Sequence, residues 1–202
     1  MEKFTVHTGQ AAPLRVSDVD TDQIIPVRFL SRLTKRGYGD DLFADWRDDP
    51  DFVLNRSPYD RATVLVAGSD FGTGSSREGA VYALVDHGFR AIVAPRFGDI
   101  FTGNAHRNGL LPVVVPVDVV ERLWDLLERE PTAPVTVDLE RCLLHAPGLD
   151  PVPFEVPEAD RRRLLEGLDD IDLTLRHEED IARYEARRRP ALPTTGRRTA
   201  RT

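Results

Sequence analysis

The chain has 202 residues, 41% of them hydrophobic and 30% charged, and a formal net charge of −7. That composition excludes a disordered polymer and suits one large domain with a real core, while the acidic balance, with basic residues dispersed until the C-terminus, gives no electrostatic footprint for nucleic acid. Cys142 is the single cysteine, which excludes an internal disulfide and an iron–sulfur cluster held by this chain alone.

Residues 4–8 read as a short strand and 9–13 as a turn leading to Leu14-Arg15-Val16. Asp18, Asp20 and Asp22 match the first three ligands of a calcium loop, but the sixth position is Gln23 where glycine is needed and the twelfth is Phe29 where glutamate is needed. Calcium is excluded, and these short polar side chains are expected to cap turns and helix starts. Residues 30–49 hold Arg32, Lys35 and Arg36, then Gly37-Tyr38-Gly39, then a run of aspartates with Phe43 and Trp46 packing one end. This is either a solvated surface loop or a movable one whose cations meet an anionic ligand.

The β-branched stretch 63–67 predicts a strand, 68–79 a glycine-rich loop, and the spacing of Ala80, Val81, Leu84 and Val85 a helix that ends at Gly88. Residues 90–94 form a buried-type strand, 97–107 a helix closed by Asn108-Gly109, and 111–115 another strand. An amphipathic helix follows over 117–130, with Val120, Leu123, Trp124 and Leu127 on one face. Alternating strands and helices argue for a layered α/β unit. Residues 135–154 read as a small antiparallel addition, and 157–166 and 177–188 as helices on either side of 167–175. The folded domain is expected to cover 1–189, with the basic tail 190–202 disordered. No leader of basic-then-apolar type and no apolar run of about 20 residues occurs, so a cytoplasmic protein that binds no membrane is expected.

The loop at 68–79 reads Gly68-Ser69-Asp70-Phe71-Gly72-Thr73-Gly74-Ser75-Ser76-Arg77-Glu78-Gly79. It lacks the lysine of a phosphate-binding P-loop, and Arg77 stands where a dinucleotide fingerprint needs glycine. Gly74-Ser75-Ser76-Arg77-Glu78 is no nucleophile elbow either. Ser75 and Glu78 have the spacing of a capping box, a purely structural role. The box does not account for Arg77, whose charge in the first turn opposes the helix dipole and suggests an anionic ligand that offsets the penalty.

The string Gly-Thr-Gly-Ser-Ser-Arg-Glu resembles the signature of the aconitase superfamily's swivel domain. Residues 20–26, 97–101 with Asn104, 109–112, and 167–171 with 173–175 are similar to those of bacterial 3-isopropylmalate dehydratase small subunits. The resemblance runs from Phe4 to Glu185 and implies a layered β/β/α swivelling domain of the aconitase type, with a small β-rich addition and C-terminal helices. It implies a hydro-lyase that isomerises 2-isopropylmalate to 3-isopropylmalate through isopropylmaleate, in leucine biosynthesis, active only with a large subunit. That partner would hold a [4Fe-4S] cluster on three cysteines, while this chain binds no cofactor or metal. By resemblance Ser75 is the catalytic base, and Gly74, Ser76 and Arg77 bind the substrate. Lys35 and Arg36, in a loop that lines the side-chain pocket in relatives, are possible carboxylate contacts. The family usually has histidine where this chain has Gly79. A dehydratase for citraconate/methylmalate or homoaconitate, and a non-catalytic anion-binding domain, stay open as alternatives.

Overall fold

Strands that are apolar without alternation belong inside a sheet covered on both faces. Such strands form the middle of this molecule, for which a computed structural model describes residues 1–30, 36–75 and 77–188. The strands are β1 (Val6–Leu14), β2 (Val64–Ala67), β3 (Ala91–Ala94), β4 (Leu111–Val114), β5 (Pro134–Asp138), β6 (Leu143–His145) and β7 (Val152–Pro153). They make one seven-stranded sheet in the order β4-β3-β2-β1-β5-β6-β7. The β1 to β4 half is parallel and the β5 to β7 half antiparallel, as the small addition was expected to be.

The two faces of the parallel half feed two cores. Leu65, Ala67, Ile92 and Ala94 point into one, covered by α1 (Thr21–Ile24), α2 (Glu78–His87) and α3 (Asp99–Arg107). Val64, Val66, Ala91 and Val93 point into the other, with Leu123 and Leu127 of α4 (Val117–Arg129) and Leu164 of α5 (Glu158–Glu166). The apolar stripe read on the 117–130 segment is the buried face of α4.

β1 differs from the expectation of a strand, a turn and a second extended piece. It is one strand through Gly9 and Pro13, because two different partners supply its ladder: residues 6–10 pair antiparallel with β5 and 11–14 pair parallel with β2. Those partners lie far away in sequence and leave no local signal. Met1–Asp169 forms one compact unit, and a second begins at Asp170. In the second unit α6 (Asp170–Leu175) turns part of the expected connection into helix, and α7 (Glu178–Ala186) falls within the expected 177–188. The expected tail 190–202 lies outside the described residues.

Candidate active site

The loops that follow β1, β2 and β3 leave the same carboxyl edge of the parallel sheet, the edge at which α/β folds place their ligands. Backbone bonds stitch them together. Asp18 N–H donates to Ser69 O at 2.8 Å, Gly72 N–H to Val19 O at 2.7 Å, and Thr21 N–H to Thr73 O at 3.0 Å. On the other side Phe71 N–H donates to Arg96 O at 3.1 Å and Gly98 N–H to Phe71 O at 3.0 Å. Asp70 and Arg96 form a two-pronged pair, Nε to Oδ1 at 2.5 Å and Nη2 to Oδ2 at 2.7 Å, which holds the Asp70 carboxyl below the usual carboxylate range. Gly72 and Gly74 have φ of 75° and 85°, left-handed values that suit glycine, and a Cβ at Gly72 would collide with Phe101.

Ser75 stands exposed beyond Gly74. Its carbonyl accepts from the Thr21 hydroxyl at 2.6 Å, while its own hydroxyl makes no hydrogen bond among the described residues. The expected capping box does not form. α2 starts at Glu78 with Arg77 as its N-cap residue, and the Glu78 carboxylate accepts from Asn108 Nδ2 at 3.0 Å. Arg77 is therefore not in the first turn but immediately before it, and its guanidinium pairs with the Asp22 carboxylate, so part of the penalty for a cation at a helix start is offset within the chain. Asp22 and Thr21 contact this loop, and the sequence reading did not assign them to it. Their only signal was membership of the 20–26 string.

Gly74, Ser75 and Arg77 are thus brought together on one loop. Arg36 is elsewhere, lining a depression of about 300 Å³ with Tyr82, Val85, Asp86 and Asn108, alongside the later turns of α2. Ser76 and Lys35 lie outside the described residues. At Gly79 a Cβ would collide with Leu30 Cδ2, so the leucine side chain fills the space that a larger residue would claim. Cys142 Sγ reaches Leu139 O at 3.5 Å. Among the described residues no group of three or more His, Cys, Asp or Glu is placed to hold a metal ion, and no helix is long and apolar enough to cross a membrane.

The mixed sheet and the glycine loop at its edge define a domain of the aconitase C-terminal type, and residues 1–118 match the family model described as the aconitase C-terminal domain. Residues 121–158 match the LeuD_N model, and 170–198 match the model for the C-terminal domain of the 3-isopropylmalate dehydratase small subunit. The 3-isopropylmalate dehydratase small subunit of Thermobifida fusca is 57% identical over 195 residues, 96% of this chain and 100% of that protein. The one from Salinispora arenicola is 57% identical over 194 residues, 96% and 99% of the two chains. A crystal structure of 3-isopropylmalate dehydratase (leuD) from Methanocaldococcus jannaschii aligns with a TM-score of 0.65 at 27% identity, covering 89% of this chain and 99% of that one. The chain belongs to the family of 3-isopropylmalate dehydratase small subunits, as the resemblance implied.

Proposed function

We propose that this chain supplies proton transfer and carboxylate binding to a two-chain hydro-lyase that interconverts 2- and 3-isopropylmalate through isopropylmaleate in leucine biosynthesis. Family membership makes it the small subunit of such an enzyme, and we place that enzyme in the cytoplasm. The observation that carries the reading is the exposed Ser75 hydroxyl, free of any cap, two residues before a guanidinium that a carboxylate orients.

In this reading Ser75 Oγ acts as an alkoxide and takes the proton from the carbon beside a substrate carboxylate. The released electron pair forms the C=C bond as the hydroxyl leaves the neighbouring carbon. Re-addition of water with the opposite regiochemistry gives the isomer. A serine is a poor base unless positive potential stabilises its anion, and in this reading Arg77 and the positive end of the α2 dipole provide it. Arg77 has five N–H donors, so it can keep Asp22 and still grip a substrate carboxylate. Ser76 donates to a carboxylate oxygen, and Gly74 lets the backbone approach the ligand closely. Lys35 and Arg36 are kept in this reading as contacts to the second carboxylate, although Arg36 stands apart from the Ser75 loop.

The donor set for a [4Fe-4S] cluster, several thiolates, is not present in a chain with Cys142 alone, so the cluster is assigned to the large subunit, where an open iron would serve as Lewis acid for the hydroxyl. The test is to reconstitute the two chains anaerobically and follow isopropylmaleate by its ultraviolet absorbance. Turnover that requires both chains and disappears in Ser75→Ala supports the proposal. Turnover retained in Ser75→Ala removes Ser75 from the chemistry, and an assembled pair that is inert on isopropylmalate but active on another malate-like acid changes the substrate.

A further inference from the structure

Thr21 is the first residue of α1, a helix of four residues that is too short to hold itself without its surroundings. Ile24 and Ile25, both fully buried, root it in the core, and the Asp20 side chain caps it. Thr21 itself is 1% exposed, and a hydroxyl at that depth needs a partner inside the protein. The partner is the loop that carries the candidate base: Thr21 Oγ1 donates to Ser75 O at 2.6 Å, across 54 residues of chain. Its backbone N–H donates to Thr73 O at 3.0 Å. One buried residue thus holds the loop on both sides of Gly74, a glycine at φ 85° with the freedom to adopt other conformations. Among the described residues the bond from Thr21 is the only hydrogen bond that Ser75 makes.

We propose that Thr21 is a positioning residue for the proton transfer. Held by the core, its hydroxyl pins the Ser75 carbonyl to the buried side of the loop and so fixes the direction in which the Ser75 side chain leaves the backbone. Without that bond the carbonyl is free to pair with water, and rotation about Gly74 carries Ser75 Oγ away from the proton it has to take. A displacement of about 1 Å at a reacting atom is enough to slow a reaction by on the order of 10²-fold. Threonine fits the task because its β-branched side chain has few rotamers open to it, so the donor is already aimed. Asp22, the next residue, pairs with Arg77, so neighbours on α1 divide the work: Thr21 places the base and Asp22 the guanidinium. The inference rests on the reading of Ser75 as the base of the two-chain hydro-lyase.

The experiment compares wild type, Thr21→Val, Thr21→Ser and Ser75→Ala, each reconstituted with the large subunit, by kcat and KM for 3-isopropylmalate. Thr21→Val keeps the branched shape and removes the donor. It is expected to lower kcat about 10- to 100-fold with KM within about threefold of wild type. Thr21→Ser keeps the hydroxyl and loses the methyl group, and is expected to bring kcat back to within about threefold of wild type. Recovery by the hydroxyl alone, with KM unmoved, is a split that core packing does not produce. A wild-type kcat in Thr21→Val, or a Thr21→Ser as slow as Thr21→Val, overturns the inference. Should Thr21→Val fail to fold, Thr21→Ala removes the same donor and is read in the same way. Turnover retained in Ser75→Ala, or a wild-type pair inert on isopropylmalate, overturns the underlying reading and this inference with it. Failure of this inference alone appears as an inactive Ser75→Ala beside a fully active Thr21→Val.

Discussion

Two segments of this chain have the same local pattern and opposite fates. Asp20-Thr21-Asp22-Gln23 and Ser75-Ser76-Arg77-Glu78 both place a capping side chain three residues before Glu or Gln. The first forms the full box: Asp20 Oδ1 accepts from Asp22 N–H and Gln23 N–H, each at 2.8 Å, and Gln23 Oε1 accepts from Asp20 N–H at 2.8 Å. The second does not, because the backbone on its N-terminal side is already held. Thr73 bridges Asp20 in parallel fashion, the Ser75 carbonyl is bound by Thr21, and the helix begins only after its N-cap Arg77. The lesson is that one segment's cap is the other's scaffold. The Asp20 box steadies α1, α1 presents Thr21, and Thr21 holds Ser75 with its hydroxyl left outward.

The sharpest way to break that comparison is to exchange the two side chains for alanine. Ser75→Ala should lower kcat of the reconstituted enzyme by about 10²–10⁴-fold while changing stability by less than about 0.5 kcal/mol, as read from a denaturation midpoint. A loss of stability of capping size would mean that Ser75 caps α2 after all. Arg77→Lys comes next. It keeps a charge beside Asp22 but loses the planar fork, so KM should rise about 10- to 100-fold with a smaller change in kcat. A KM like that of wild type would show that the guanidinium serves Asp22 alone. Asp20→Ala should do the reverse of Ser75→Ala, lowering stability by about 1 kcal/mol through loss of the box, with activity falling only as far as Thr21 and Ser75 shift.

These outcomes bear on what a sequence can reveal. β2, β3 and α4 were legible because burial on both faces, or on one stripe, is written locally as an apolar run or a 3.6-residue period. The unbroken β1 was not, since Gly9 and Pro13 read as breakers and only their pairing with Val135 and Val66 keeps them in a strand. The Gly74 to Arg77 loop could be found from residue types and family resemblance. Its electrostatics could not, because Asp22 meets Arg77 across 55 residues of chain. The start of α2 was misplaced for the same reason: a local capping pattern was overruled by hydrogen bonds from Thr21.

The smallest effect sharpens the comparison by acid. The Ser75 segment leans on α3, where Phe101 sits against Gly72, and further along that helix His106 is 2% exposed. His106 Nδ1 lies 3.2 Å from Asp160 Oδ2 without the alignment of a hydrogen bond, so burial, aided by Arg163, wins over the carboxylate and lowers its pKa from 6.5. Burial also lowers His87, with Arg47 acting in the same sense and Asp40 opposing, and His7, with Arg90 acting in the same sense and Glu2 opposing. The unfolded chain therefore binds protons that the folded chain refuses. Stability is complete above about pH 6.5 and falls as the pH drops below it toward the folded values. A series of melting temperatures from pH 8 to pH 5, about the range that brackets imidazole titration, should show a plateau and then a decline that is shallower in His106→Gln. Amide exchange at pH 5.5, about one unit below the ordinary imidazole value, should open α3 before α1, because His106 stands on α3 while the Asp20 box contains no histidine. An unaltered slope in His106→Gln, or earlier opening of α1, would place the acid sensitivity in His7 or His87 and leave the Ser75 segment no more exposed to it than its neighbour.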